Sequence, residues 1–512
     1  MISPRLLRPL FWLAALGMAV LFPFMAWHGY PQSDGDTLWF LPAALAEARG
    51  EGLVNALHVN AGSFDITHRN LFVFYPPGFP WFLGKIAAHT FGATAQGIYT
   101  AFAALSSLTV LLAALPFAHW AGRRPPEQRR KGWLLALAAL LALGTYGSAF
   151  AFGRPDTMAT VVVLFGALAV ALADREIFLL SPVLGLLAFL HPVAALFATA
   201  LLGLRLSLRL TLPHVATLLI PFCLIGVGVM LLLFAVSPNG LQASFDGIRW
   251  HAGSTMVSGT WDDPHKNQPL KFLFLHSYAT AYGLLVLVAA ALLGEAVVRR
   301  WKEGRGTRVG IVFFTGCLAA FFFHFVAEAW DRAYNLWVFT PVTLWVILIL
   351  GGRMGERMGG RTAPRLGFVL LLAVFLACAS GFLHRALLFP YALADRAGSL
   401  DAAKVQAARL LGERPPGLIA VSKSLWLLFD DVEQPNPVRA FALDPAQRRD
   451  DHPAYIVLQQ RFTAYETAPE LPGFRKVWDD FTAEKPRFLG IALSGTAPSY
   501  RFAFYERIES AN

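Results

Sequence analysis

Gly122-Arg123-Arg124-Pro125-Pro126-Glu127-Gln128-Arg129-Arg130-Lys131-Gly132 decides the fold because of what flanks it. On one side lies the apolar run 96–119 and on the other 133–152, each close to the roughly 20 residues that a helix needs to cross a bilayer. Five cations in a short turn between two such runs are the mark of a cytosolic loop joining membrane helices.

Working outward, further apolar runs occur at 8–28, 157–173, 177–190, 192–205, 213–236, 274–296, 309–328, 334–350 and 367–389, which brings the total to about eleven. The short pair 177–190 and 192–205, split by His191-Pro192, can also form a re-entrant hairpin, and the parity is then unchanged. With the N-terminus inside, the cytosolic loops hold Arg175, Arg205, Arg209, Arg299, Arg300, Lys302, Arg305, Arg308, Arg353, Arg357, Arg361 and Arg365 besides the first cluster. The outer loops are longer yet hold only Arg49, Arg69, Lys85, Arg154, Arg249, Lys266, Lys271 and Arg332. The positive-inside rule therefore sets the N-terminus in the cytosol and the C-terminal tail outside. Residues 1–30, with Arg5 and Arg8 ahead of the apolar stretch, have the charge pattern of a signal peptide, but the lack of a small-x-small cleavage site makes them a first span.

Composition agrees. Of 512 residues, 56% are apolar or aromatic and 15% are charged, against roughly 25% charged in soluble domains. The mean hydropathy is +0.51. The net charge of +10 is split into loop clusters, whereas a nucleic-acid binder gathers such charge on one folded face, so no nucleic-acid partner is expected. Cys223, Cys317 and Cys378 each sit in an apolar run, with neither disulfide nor metal-cluster spacing. The expected fold is an α-helical polytopic membrane protein with a small C-terminal α/β domain: residues 1–390 form the membrane part, with outer loops at about 29–95 and 237–273, and residues 391–512 form the soluble domain. In that tail Ser399 caps a helix that ends at Gly412, 417–421 and 454–458 read as strands, 422–429 as a helix, and 488–493 and 500–508 as further strands.

The chemistry-bearing residues collect on the outer side. Ser33-Asp34-Gly35-Asp36-Thr37 follows the first span, the Ala-rich stretch 38–49 reads as an amphipathic helix on the membrane surface, and Tyr75-Pro76-Pro77-Gly78-Phe79-Pro80-Trp81-Phe82 closes the loop. Carboxylates at a helix mouth are costly to desolvate and tend to be functional. Asp34 and Asp36 can act as a general base, bind a divalent cation, or, for Asp36, cap the next helix. Arg154 and Arg332 lie at the outer face, where a guanidinium suits a lipid phosphate; each also has a neighbouring acid, Asp156 and Asp331, to pair with. Lys85, Arg69 and His191 are further phosphate candidates, His191 equally a hydrogen-bonded membrane histidine. The second outer loop brings Trp250, His251 and Trp261, aromatics and a polar group of the kind that cover a sugar, beside Asp262, Asp263 and His265.

Asp34 and Asp36, the run 41–52, Tyr75-Pro76-Pro77, Gly153-Arg154-Pro155-Asp156, Phe189-Leu190 and Arg332-Ala333-Tyr334 with Pro341 resemble, in order, the motifs of the GT-C superfamily. Its members are membrane glycosyltransferases that use polyprenyl-phosphate sugars, such as the protein O-mannosyltransferases and the lipid A aminoarabinose transferases. This chain departs from the pattern at His191, where the family has a lysine. The resemblance implies an inverting transfer from a polyprenyl-phosphate sugar to a glycolipid, polysaccharide or protein, on the periplasmic side of a bacterial inner membrane. An Asp of the first outer loop would be the base. No cofactor is firmly implied, and a divalent cation is permitted by the Asp-x-Asp pair. A flippase would place ionisable residues deep in the bundle and repeat its halves, whereas mid-span charges are few, Glu295 and Glu328 lie near span ends, and no repeat is seen; a non-catalytic scaffold would not need Asp and Arg clustered at one membrane face.

Overall fold

The computed structural model describes residues 4–30, 37–54, 58–59, 78–149, 388–429, 438–441, 453–460, 467–482, 487–488, 491–492 and 499–508, with scattered positions between 211 and 304. The N-terminal part consists of α1 (Pro4–Trp27), α2 (Thr37–Ala48), α3 (Gly78–Thr90), α4 (Ala95–Gly122) and α5 (Pro126–Ala149). Helices α1, α4 and α5 fall on the first three long apolar runs. Of the remaining runs, scattered helical positions of 213–236 and the last two residues of 367–389 are described, and the others lie outside the described residues. Among the described residues, Arg5–Trp27 is the one helix long and apolar enough to cross a bilayer.

Helix α1 is two-faced. Leu7, Phe11, Ala15, Met18, Phe22 and Met25 are buried at helical spacing against α4 and α5. The opposite stripe, Leu6, Leu10, Leu13, Leu16, Val20, Phe24 and Trp27, is exposed, with Leu13 at 66% and Trp27 at 61%. An apolar stripe this long on the outside of a helix is a surface of the kind that a protein partner or a membrane covers. Thr94 starts α4, its hydroxyl accepting from the Gly97 N–H at 3.0 Å.

Helix α2 departs from the expected surface helix. Every residue from Phe40 to Glu47 is buried, because α3 and α4 pack around it. Its alanines do not form a polar-edged lipid face; they let neighbouring backbones come close.

The C-terminal part is a mixed six-stranded sheet in the order β1-β3-β2-β4-β8-β5. Its strands are β1 (His58–Val59), β2 (Ile419–Ser422), β3 (Val438–Phe441), β4 (Tyr455–Gln459), β5 (Phe474–Asp479) and β8 (Phe502–Arg507). The ladders β1–β3, β3–β2 and β2–β4 are parallel, and β8 runs antiparallel to β4 and β5. All residues of β2 and β4 are buried, as in a sheet covered on both faces. One face packs Ala420, Ile456, Leu458, Ala503 and Tyr505 under Ala468, Leu471, Phe474 and Phe481. On the other, the 3-10 helix Lys423–Leu428 lies against β2, β3 and β4, and α6 (Leu400–Gly412) packs on it.

Three elements differ from expectation. Residues 422–429 form a 3-10 helix rather than an α-helix. Residues 488–493 are split into β6 (Arg487–Phe488) and β7 (Ile491–Ala492), a separate antiparallel pair. The outermost strand of the large sheet comes from the chain between α2 and α3: His58 pairs with Ala440 and Val59 with Phe441.

Candidate functional site

Two helices follow, in sequence, the acidic segment and the Tyr-Pro-Pro segment. Thr37, directly after Asp36, begins α2, and Gly78, directly after Pro77, begins α3. The helices run in the same direction. Near their starts the Phe40 and Phe79 rings meet edge to face, with centroids 5.6 Å apart. Further along, a Cβ on Gly84 would lie 2.5 Å from the Ala44 carbonyl oxygen and 3.0 Å from Glu47 Cβ. Only glycine permits so close an approach at that position. Next to it, Lys85 Nζ lies 2.9 Å from Glu47 Oε1, and Glu47 is 1% exposed while Lys85 is half-buried. The parallel seam sets the starts of α2 and α3 side by side, so the chain enters both helices at one corner of the fold.

The corner is tied down from behind. At the end of α1, Gln96 Nε2 donates to the Trp27 carbonyl at 2.6 Å and the Tyr500 hydroxyl donates to the Gly29 carbonyl. Tyr30 stacks at 5.3 Å on Phe389, in a cluster with Met25 and Leu388. Tyr500 is wholly buried, and burial pushes its phenol pKa upward. Its neighbour Arg501 grips Asp395 in a fork, Nε to Oδ2 at 2.8 Å and Nη2 to Oδ1 at 2.6 Å. Burial works to raise the Asp395 pKa, but its hydrogen bonds from Arg501, Ser499 and the Gly398 N–H, with the Arg501 charge, hold the carboxyl below its usual value. Asp480 behaves oppositely: burial dominates and lifts it to about 6, although it accepts from the Phe502 N–H at 2.7 Å. The segment leaving α1 thus starts from a fixed post, and the chain between α2 and α3 is pinned to the C-terminal sheet through β1.

Of the candidate residues, Lys85 is within the described structure, and its ammonium faces the Glu47 carboxylate. The catalytic candidates Asp34 and Asp36, the phosphate candidates Arg69, Arg154, His191 and Arg332, and the substrate-loop candidates Tyr75, Trp250, His251 and Trp261 lie outside the described residues. Among the described residues no group of His, Cys, Asp and Glu could hold a metal ion. Two residues emerge that sequence reading did not single out. Glu47 is the sole acid of α2, and a lone carboxylate in an apolar helix signals a buried partner. Trp81, in the first turn of α3, has a buried indole N–H with no hydrogen-bond partner among the described residues. A buried donor left unpaired is unfavourable, and it gives this corner a donor free for an oxygen acceptor. No protein-family model, curated protein or solved structure matches this chain.

Proposed function

We propose that the protein is a GT-C-type membrane glycosyltransferase, moving a sugar from a polyprenyl-phosphate carrier to a hydroxyl acceptor on the outer face of a bacterial inner membrane. The parallel α2–α3 seam supports this proposal, because Thr37, directly after Asp36 in sequence, and Gly78, directly after the Tyr75-Pro76-Pro77 segment, begin adjacent helices. Support for the topology comes from β1, which joins the first outer loop to the C-terminal sheet and so favours one side of the membrane for both.

In the reaction an acceptor hydroxyl gives its proton to the carboxylate of Asp34 or Asp36 while its oxygen bonds to the anomeric carbon. The bond from that carbon to the phosphate oxygen breaks on the opposite face, inverting the centre and releasing polyprenyl phosphate. Arg154 and Arg332 serve as the cations for the departing phosphate, with His191 as a further candidate. Tyr75, Trp250, His251 and Trp261 line the sugar. Lys85 takes a structural part instead, engaged with Glu47. A divalent ion is compatible with the Asp-x-Asp pair and not demanded by a monophosphate leaving group.

The test is complementation of a deletion strain by wild type, Asp34→Asn and Asp36→Asn, with mass spectrometry of glycolipids and surface polysaccharide. Loss of a base typically lowers the rate by roughly 10²–10⁴-fold. One Asn variant, present in the membrane at the wild-type level, is expected to lack a single sugar in its product. Full restoration of every product by both variants would leave a scaffold role in its place.

A further inference from the structure

The helix end remote from the candidate site carries a second feature. Helix α4 runs antiparallel to α1, since Gln96 at its start bonds Trp27 at the end of α1. After the turn 123–125, α5 runs back alongside α1, and Trp133 packs edge-on to Phe11 with centroids 5.5 Å apart. The start of α1, the end of α4 and the start of α5 therefore meet. They bring together Arg5, Arg8, Arg123, Arg124, Arg129, Arg130 and Lys131, with Glu127 as the only acid in 4–8 and 119–131. Arg5, Arg8, Arg123, Arg129 and Lys131 are exposed. The Arg124 guanidinium lies 4.4 Å over the Trp120 ring, and Arg129 Nε donates to the Arg124 carbonyl at 3.3 Å.

Orienting a helix in a membrane needs cations, but it does not need them drawn from three helices and supported by an aromatic ring. Adjoining this crown is the exposed apolar surface of Leu6, Leu10 and Leu13 on α1 and Leu134 on α5. At 1.5 Å per residue the α1 part of that surface descends about 12 Å from Arg5, a depth that suits the upper acyl chain of a lipid. A phosphate sitting among the cations would have its own chains against these leucines.

We propose that this crown is a binding site for anionic phospholipid headgroups of the cytosolic leaflet. It rests on the chain being inserted in a bilayer and is independent of glycosyl transfer. A net-negative headgroup gains from each nearby Lys or Arg, whereas a zwitterionic one presents a compensating ammonium.

The experiment uses the full chain, purified in detergent with equal amounts of phosphatidylglycerol and phosphatidylcholine, and counts retained lipids by native mass spectrometry. Phosphatidylglycerol is expected to be retained about tenfold over phosphatidylcholine, and raising the salt to about 1 M, where charges are screened beyond about 3 Å, should abolish the preference. The variant Arg5→Gln/Arg8→Gln/Arg123→Gln/Arg129→Gln/Lys131→Gln should lose it, and Arg396→Gln/Arg409→Gln, on the C-terminal part, should keep it. Equal retention of the two lipids, retention of neither, or a salt-insensitive preference overturns the proposal. The wild-type salt series decides even if the five-site variant fails to insert.

Discussion

The hydroxyl of Tyr500 donates to the carbonyl oxygen of Gly29, 471 positions earlier in the chain. One bond thus closes almost the whole sequence, joining the residues just after α1 to those just before β8. Gly29 has φ +69°, and a Cβ there would meet Leu400 Cδ2 at 2.8 Å and Tyr500 Cε2 at 3.1 Å. The junction is specified from both sides, by a donor that reaches and by a residue small enough to be reached.

Tyr500→Phe keeps the ring and removes the donor. Losing one buried partner costs about 1–3 kcal/mol, so the purified protein should be less stable by that amount and unfold at a lower temperature. Gly29→Ala should be worse. It combines the left-handed penalty of roughly 1–2 kcal/mol with the contacts above. Differential scanning fluorimetry of the two variants gives the order, and an equal or reversed order would mean that the junction relaxes around a side chain.

The Glu47–Lys85 pair makes an asymmetric prediction. Lys85→Met takes the cation from a carboxylate that is 1% exposed, a change that costs about 3–5 kcal/mol where the charge stays buried. Glu47→Gln leaves a lysine 36% exposed that can turn toward water, so its effect should be smaller, near 1 kcal/mol. The double variant, with two neutral side chains in the seam, should recover much of the Lys85→Met loss. Thermal unfolding of the three proteins reads this directly. If Lys85→Met is the mildest, the pair is not what holds α2 against α3.

How far the fold could be read from sequence depended on whether the signal was local. Ser399 capping Leu400–Gly412 was legible, and its hydroxyl accepts from the Ala402 N–H at 3.3 Å. So were the strands at 419–422, 455–459 and 502–507, where short apolar runs are bounded by turn residues. Strand β5, Phe-Arg-Lys-Val-Trp-Asp, escaped because an edge strand carries charges that mask its period. Strand β3 is four residues long and includes Arg439. Strand β1 is two residues whose partner lies some 380 positions away, and no local pattern encodes such a pairing. At the candidate site, the aspartates and the Tyr-Pro-Pro segment stand out as sequence. Glu47 did not, because an acid in an Ala-rich stretch reads as the wet edge of a surface helix until the neighbouring helices are known to enclose it.

Asp480 predicts how the C-terminal part responds to pH. Its carboxyl titrates near 6 in the fold, pushed up first by burial, and at the ordinary 3.8 when unfolded. Between those values the folded state holds the extra proton, so stability rises as pH falls from about 7 toward about 4. Asp395 has the opposite sign: its carboxyl is held low, and its pairing with Arg501 is lost only as pH falls below the usual carboxylate range. A shift of two units is worth at most about 3 kcal/mol, and partial solvent contact reduces this to roughly 1–2. Asp480→Asn mimics the protonated form and still offers Oδ1 to the Phe502 N–H. It should therefore exceed wild type in stability at pH 7.5 and converge with it near pH 4, while both fall together below that. Melting curves across this range provide the difference, in which the contribution of Asp395 largely cancels. A difference that stays constant with pH would show that Asp480 is ionised alike in the folded and unfolded chain.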